Sequence, residues 1–108
     1  MAARAFAARH GLANVHVMTA DARHTGLPGG TFDLVHTRMA LANIAQPGEV
    51  VTEMARLAKP GGWVAALEPD VLGLCYPAHP AMDRLTELFV TTYRYQSADP
   101  HLGRRLRK

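Results

Sequence analysis

Residues 21–70 read DARHTGLPGG TFDLVHTRMA LANIAQPGEV VTEMARLAKP GGWVAALEPD, and this stretch decides the fold. It holds two short apolar runs of strand length, Phe32–Thr37 and Trp63–Leu67. Leu34 and Val35 are adjacent apolar residues, which favours a strand that is covered on both faces. The segment between the two runs has the periodicity of a helix. A strand, a helix and a second strand in this order predict a parallel sheet with helices on its faces.

The connecting helix is the clearest element of the chain. Pro47 suits a first helical position, and Glu49 complements the positive N-terminal end of a helix. An apolar stripe at helical spacing marks the face that we expect to be buried, whereas Glu53 and Arg56 are expected on the solvated side. The turn Lys59-Pro60-Gly61-Gly62 then ends the helix and reverses the chain. The stripe consists of Val50, Val51, Met54, Ala55, Leu57 and Ala58.

The flanking segments extend this plan in both directions. Residues Ala2–His10 are predicted to form a helix that Gly11 stops, and Val15–Thr19 a β-branched strand. Glycines and a proline make residues 20–31 a loop. Near the C-terminus, Pro80 opens a last helix with Met82, Leu85, Phe89 and Tyr93 on one face. The predicted fold class is therefore α/β, with three parallel strands and flanking helices.

Composition narrows the classes of function. A chain of 108 residues has room for one small domain, and its 19% of charged residues is typical of a folded protein. The net charge of +3 is modest, and no basic patch is interleaved with aromatic residues, so we expect no nucleic-acid partner. No apolar run approaches the ~20 residues of a membrane span. Cys75 is the only cysteine, which excludes an intrachain disulfide and fits a cytoplasmic location. The histidines lack metal-ligand spacing, so no metal is expected.

The predicted sheet indicates where a site would lie. In an open parallel α/β sheet, ligands bind beyond the carboxyl ends of the strands. The residues that follow the three predicted strands are Ala20–Ala22, His36–Arg38 and Glu68–Asp70. All three segments carry polar side chains, as a binding crevice requires.

The ordered set of short motifs resembles the class I S-adenosylmethionine-dependent methyltransferases, of the type that includes the ubiquinone/menaquinone methyltransferases. The resemblance covers roughly residues 2–70, and its strength comes from the order and spacing of the pieces. It implies a partial Rossmann-like methyltransferase domain in which residues 1–70 carry the core motifs and residues 71–108 a substrate-side helix and a basic tail. The matching pieces are Asp21-Ala22, Leu27-Pro28, Phe32-Asp33-Leu34-Val35, Glu53-Met54-Ala55-Arg56-Leu57 and Lys59-Pro60-Gly61-Gly62.

The resemblance also implies roles for individual residues towards S-adenosyl-L-methionine as cofactor. Asp21 would accept a hydrogen bond from the adenine amine, and Ala22 would offer its backbone N–H to a ring nitrogen. Arg38 would line the methionine part, where many members carry a small polar residue, and either of its neighbours His36 and Thr37 could face the cofactor instead. The residues themselves leave another reading of Asp21 open, because aspartate also caps turns.

Methyl transfer requires the protein mainly to align the two reactants and to exclude water. A general base helps only when the acceptor is a hydroxyl or an amine that must lose a proton. His36 is the predicted base, with Glu68 and His79 as the next candidates. The expected function is methyl transfer to a small-molecule acceptor.

The family's Gly-rich cofactor loop and its first two strands are not found in this chain. We therefore expect a methyltransferase that is truncated at the N-terminus, and at the C-terminus as well. In the family's sheet, the two missing strands separate the strand at residues 15–19 from the strand at Phe32–Thr37. Without them, both of these strands would have unpaired edges. This predicts a chain that is marginally stable, re-pairs its strands, or associates with itself or with a complementary fragment. The alternative function is a non-catalytic remnant that binds a partner through those edges.

Overall fold

The computed structural model describes residues 2–69 and 78–106. The described part contains four α-helices, two β-strands and one 3₁₀ turn. In chain order they are α1 (Ala2–Arg9), β1 (Phe32–Arg38), the 3₁₀ turn (Leu41–Asn43), α2 (Pro47–Leu57), β2 (Ala58–Leu67), α3 (Pro80–Tyr95) and α4 (Leu102–Arg105).

The two strands form a parallel sheet, as the strand–helix–strand pattern predicts. Leu34 pairs with Trp63, and the register continues without interruption to Arg38 opposite Leu67. Phe32 pairs with Ala58, so the residues between Ala58 and Trp63 bulge out of the ladder. Gly61 takes a φ of +79° in this bulge, a conformation that glycine adopts without steric cost. The predicted turn at residues 59–62 is therefore an irregularity within β2, which begins earlier than predicted.

A small core lies between α2, the 3₁₀ turn and α4. Leu41 is the most deeply buried large side chain, with 1% of its surface exposed. Gly103 allows α4 to approach the end of β2, because a Cβ there would come within 2.5 Å of the Pro69 carbonyl oxygen. The buried cluster consists of Leu41, Ala42, Val50, Met54 and Leu102, with Val35, Ile44 and Tyr93 packed against it.

The prediction of three parallel strands is wrong for the described residues, whose sheet has two. Residues 15–19 have no regular secondary structure and are mostly exposed. The Val17 carbonyl accepts a hydrogen bond from the Arg4 side chain at 3.1 Å, and the Val15 N–H is bonded to the Leu12 carbonyl in a turn. A β-branched segment becomes a strand only when a neighbouring strand completes its hydrogen bonds. Among the described residues, no strand lies beside this segment.

Glu53 is also placed differently from the prediction, because it is buried rather than solvated. The buried positions of α2 are Val50, Glu53, Met54 and Leu57, with the i, i+3, i+4, i+7 spacing of a helix face. Val51, which was assigned to the apolar stripe, is instead exposed. The stripe is therefore rotated relative to the prediction, and a carboxylate lies within it.

The last helix forms as predicted, but none of its residues is fully buried. His79 caps it, because the Nδ1 atom accepts a hydrogen bond from the Ala81 N–H at 3.1 Å. The predicted loop at residues 71–79 lies largely outside the described residues, as do Cys75 and Asp70.

Candidate functional site

The carboxyl ends of β1 and β2 meet at one edge of the sheet, as expected for parallel neighbours. The Met39 N–H donates to the Leu67 carbonyl at 2.8 Å directly after the last register pair. His36 and Arg38 are exposed and share one face of β1, because alternate residues of a strand point the same way. Thr37 points to the opposite face and is half-buried. The three predicted site residues of this strand therefore lie at the edge where a ligand is expected.

Glu68 follows β2 and holds the turn that follows β1. Its Oε1 atom accepts hydrogen bonds from the backbone N–H groups of Ala40 at 2.9 Å and Leu41 at 2.8 Å, and its Oε2 atom accepts from Ala42 at 3.3 Å. A carboxylate at the start of a helical turn satisfies N–H groups that have no partner within the turn. Glu68, a candidate base from the sequence, thus acts as a cap in this structure.

The carboxylate of Asp21 is bonded to its own loop. It accepts hydrogen bonds from the Arg23 backbone N–H at 2.9 Å, from the Arg23 Nε atom at 3.0 Å and from the Arg23 Nη2 atom at 2.7 Å. These side-chain and backbone bonds lower the pKa of Asp21 to about 2, so the carboxylate is ionised at neutral pH. Asp21 therefore caps a turn, which is the alternative role that the sequence left open. The contact of Asp21 and Ala22 with adenine stays a prediction.

Arg23 ties the same loop to the beginning of α2. Its Nη1 atom donates to the Gln46 Oε1 atom at 2.8 Å. Gln46 directly precedes α2, and α2 returns from the end of β1 to the start of β2. The loop of Asp21 is therefore held on the carboxyl-end side of the sheet, where the predicted cofactor residues of β1 also lie.

Glu53 anchors the second half of the loop from inside α2. Its Oε1 atom accepts hydrogen bonds from the Thr25 hydroxyl at 2.6 Å and the Thr25 N–H at 3.0 Å, and both oxygens bind the Arg56 guanidinium at 2.7 Å. These bonds, those of Arg56 first, lower the pKa of Glu53 well below its ordinary value. Arg56 also donates to the Leu27 carbonyl at 2.8 Å. The spacing of Glu53 within the buried stripe is the sequence signal that could have revealed this anchor.

One concave region lies along α2 and another lies beyond the strand ends. An open hollow of about 650 Å³ lies between the Asp21 loop and α2, and its arginines and Glu53 are already engaged with the chain itself. A smaller and more enclosed cleft of about 230 Å³ lies beyond the strand ends and reaches α3. The seven residues that line it are Met39, Ala42, Asn43, Glu68, Pro69, Phe89 and Tyr93, and we call it the strand-end cleft.

Residues 2–69 and 78–106 contain no three histidine, cysteine, aspartate or glutamate side chains that are grouped to hold a metal ion. No helix within them has both the length and the apolar character needed to cross a membrane.

Comparison with known proteins identifies the family. The family model described as "Methyltransferase domain" matches residues 1–66, which is more than half of the chain. The chain belongs to the class I S-adenosylmethionine-dependent methyltransferases. Asp21, Ala22, His36, Thr37 and Arg38 all lie within the matched segment of this methyltransferase domain.

Three relatives illustrate the range of the match. An uncharacterized methyltransferase of Schizosaccharomyces pombe is 35% identical over 81 residues, which cover 74% of the chain and 29% of that protein. A ubiquinone/menaquinone biosynthesis C-methyltransferase of Pseudomonas aeruginosa is 32% identical over 92 residues, covering 76% of the chain and 36% of the relative. An N-methyltransferase of Leptosphaeria maculans is 50% identical over 44 residues, which cover 39% of the chain and 16% of that protein. The chain thus spans about a third of the length of the first two relatives.

Proposed function

We propose that this domain is part of an enzyme that transfers a methyl group from S-adenosyl-L-methionine to a small-molecule acceptor. The supporting observation is that the family match and the crevice coincide. Both β1 and the loop that Arg23 ties to Gln46 lie within residues 1–66, and both border the carboxyl-end edge of the sheet. A small acceptor is favoured over a macromolecule because the strand-end cleft is partly enclosed and has a volume of only about 230 Å³.

The residues of the Asp21 loop fit the adenine part of this cofactor in their chemistry. Asp21 is an ionised acceptor whose side chain is half exposed, and Ala22 beside it has no bulk to keep a base away. Arg23 holds both carboxylate oxygens in this structure. An exocyclic amine would therefore share the carboxylate with Arg23 or take its place.

S-adenosylmethionine, when bound, supplies an electrophilic methyl group. The chain's own residues then have to hold both reactants in line and keep water out. Thr37 and Arg38 are proposed to hold the methionine part, whose carboxylate suits the guanidinium of Arg38. His36 is proposed to accept the proton of a hydroxyl or amine acceptor. This assignment is favoured because the other two candidate bases, Glu68 and His79, have their acceptor atoms bonded to backbone N–H groups.

Calorimetric titration of the chain with S-adenosylmethionine tests the proposal, with Asp21→Ala as the variant and Asp33→Ala as its matched control. Asp33 is paired with Lys59 at the opposite, amino-terminal end of the strands. We expect heat of binding at cofactor concentrations of about 1 mM or below, about tenfold weaker binding for Asp21→Ala, and no change for Asp33→Ala. An absence of binding at millimolar cofactor, or equal losses in both variants, would contradict the proposal.

A second function is favoured by a separate observation. Trp63 and Leu34 are register partners with 75% and 58% of their surfaces exposed, and within the described residues β1 has a strand on one side only. Exposed apolar strands with a free edge promote association. The second candidate is therefore a non-catalytic fragment that associates with itself or with a partner through β1. Sedimentation equilibrium of the chain and of Leu34→Ser, a change on β1 itself, tests it, and a monomer at all concentrations would exclude self-association.

We also propose a cytoplasmic location for the methyltransferase domain. The proposal is supported by cysteine usage, because a chain with Cys75 alone gains nothing from an oxidising compartment through an intrachain disulfide. Fractionation of cells that produce the protein tests it, and recovery of the protein in a secreted fraction would contradict it.

A further inference from the structure

The Asp21 loop, residues 21–31, carries the residues proposed for the adenine part of the cofactor, yet it contains no helix or strand. Three of its eleven residues are glycines, and such a segment is flexible unless other parts of the molecule hold it. A flexible segment binds a ligand less tightly, because it must be ordered at the moment of binding. The groups that hold this loop therefore affect how tightly it can bind a ligand.

The end of the loop that leads into β1 is fastened along α2. The Arg56 Nη2 atom donates to the Leu27 carbonyl at 2.8 Å, and the Gly30 N–H donates to the Arg56 carbonyl at 2.9 Å. The Thr31 N–H donates to the Leu57 carbonyl at 3.0 Å. This end of the loop consequently has a fixed place relative to α2.

The part of the loop that carries the proposed adenine residues is joined to α2 at two points. One is the hydrogen bond from Arg23 to Gln46, which joins exposed side chains and competes with water. The other is Thr25, whose hydroxyl and backbone N–H both donate to the buried carboxylate of Glu53, at 2.6 and 3.0 Å. Hydrogen bonds to an ionised carboxylate are roughly twice as strong as neutral ones. Thr25 is therefore the stronger of the two attachments.

Glu53 can hold Thr25 because its own carboxylate is held in turn. Both of its oxygens bind the Arg56 guanidinium at 2.7 Å, which fixes the direction of the carboxylate. The Thr25 hydroxyl, while donating to Glu53, also accepts a hydrogen bond from the Leu27 N–H at 3.2 Å. A buried polar network whose members all have partners is rigid. The network thus connects the middle of α2 to the middle of the loop.

We infer that Glu53 is a positioning residue for the cofactor, because it holds the Asp21 loop, through Thr25, in the conformation that receives adenine. The inference rests on the proposed function, since it takes the loop to be part of the cofactor site. Thr25 lies four positions after Asp21, and the His24 N–H closes the turn between them by donating to the Asp21 carbonyl at 3.0 Å. Displacement of Thr25 therefore displaces Asp21 and Ala22 as well.

Calorimetric titration of Thr25 variants with S-adenosylmethionine tests the inference. Thr25→Val keeps the shape of the side chain but lacks the hydroxyl, so the cofactor affinity should fall about fivefold. Thr25→Ser keeps the hydroxyl and should bind about as tightly as the unaltered chain. The matched control is Thr91→Val on α3, where the hydroxyl donates to the Glu87 carbonyl at 2.9 Å within the same helix. This control should leave the affinity unchanged.

A second pair of variants separates positioning from stability. Glu53→Gln loses the charge that Arg56 and Thr25 bind, and the cofactor affinity should fall about tenfold. Met54→Ala removes the buried neighbour of Glu53 in α2, so it destabilises the chain but leaves the loop attached. All variants are compared at a temperature at which circular dichroism shows them to be folded, and the affinity of Met54→Ala should then equal that of the unaltered chain. If Glu53→Gln does not fold, the two Thr25 variants decide alone.

The motion of the Ala22 amide, measured by nuclear magnetic resonance relaxation without cofactor, gives an independent readout. Its order should fall in Thr25→Val and Glu53→Gln and stay unchanged in Met54→Ala. Equal cofactor affinity in Thr25→Val and the unaltered chain, an equal loss in Thr25→Ser, or an equal loss in Met54→Ala and Glu53→Gln would overturn the inference and leave the proposed function intact. An unaltered chain that does not bind millimolar S-adenosylmethionine would overturn the proposed function, and the inference with it.

Discussion

Replacing Glu68 tests whether this residue is a structural cap or a proton acceptor. Its carboxylate accepts from Ala40 and Leu41 at 2.9 and 2.8 Å and from Ala42 at 3.3 Å, and both Leu41 and Ala42 are almost completely buried. A lost cap costs about 0.5–2 kcal/mol, and each buried N–H without a partner costs about 1–3 kcal/mol. Since Glu68 itself is half-buried, water can replace part of the loss. We expect Glu68→Ala to lower the free energy of unfolding by about 2–3 kcal/mol.

Glu68→Gln refines the same test. The glutamine carbonyl oxygen can keep the two shorter bonds, so the loss should be about 1 kcal/mol. The assay is urea unfolding followed by circular dichroism, and Glu87→Ala, an exposed acid on α3, is the control that should change stability by less than about 0.5 kcal/mol. The reasoning would be refuted if Glu68→Ala were as stable as the control, or if Glu68→Gln lost as much stability as Glu68→Ala. A catalytic base would instead lose methyl transfer in Glu68→Gln at unchanged stability.

Three further outcomes follow from the structure. Arg23→Ala frees the carboxylate of Asp21, so S-adenosylmethionine should bind several-fold more tightly in calorimetry, and weaker binding would mean that Arg23 orients the carboxylate for the cofactor. Leu41→Ala should lower the free energy of unfolding by about 3 kcal/mol, whereas Leu34→Ala on the exposed sheet face should cost less than about 0.5 kcal/mol, both measured in urea. The pKa of Asp21 and that of Glu53 are depressed on folding, so the stability they contribute is present above their unfolded values of about 4 and is lost as the pH falls from there towards 2. The midpoint temperature of thermal unfolding should therefore be lower for Glu53→Gln than for the unaltered chain at pH 7. Between pH 5 and pH 2 this midpoint should fall less for Glu53→Gln than for the unaltered chain, and an identical fall in both would contradict the argument.

The parts of the fold that the sequence predicted are those that local pattern determines. The β1 strand and α2 appear where apolar runs and a proline at the helix start predict them, and the parallel pairing follows from the order of the elements. The prediction for residues 15–19 was wrong because a strand depends on a neighbour as well as on its own residues. The bulge at residues 59–62 was missed because Lys59–Gly62 looks like a simple turn until the register of the flanking strands is known.

The sequence likewise predicts some features of the candidate site and not others. The ends of β1 and β2 could be located from the sequence, because ligands in parallel α/β sheets bind at the carboxyl edge. The Asp21 loop was selected by the family resemblance and by a strand at residues 15–19 that does not form. The role of Glu68 could not be predicted from the sequence, because its hydrogen bonds to residues 40–42 join segments more than 25 positions apart in the chain. The strand-end cleft depends on how α3 is placed relative to Met39, which no local pattern encodes. The burial of Glu53 was only partly predictable from the sequence. Its position relative to Val50, Met54 and Leu57 places it on the buried face of α2, but its charge favoured the solvated face.

Backbone amide chemical shifts of the chain during titration with S-adenosylmethionine test the central claim most directly. If the carboxyl-end edge of the sheet is the cofactor site, the amides of Ala22, Thr37 and Arg38 should shift together and saturate with one dissociation constant. The amides of the bulge at Lys59–Gly62, at the opposite end of the strands, should stay in place. Shifts confined to the bulge, or no saturable shift at millimolar cofactor, would contradict the account.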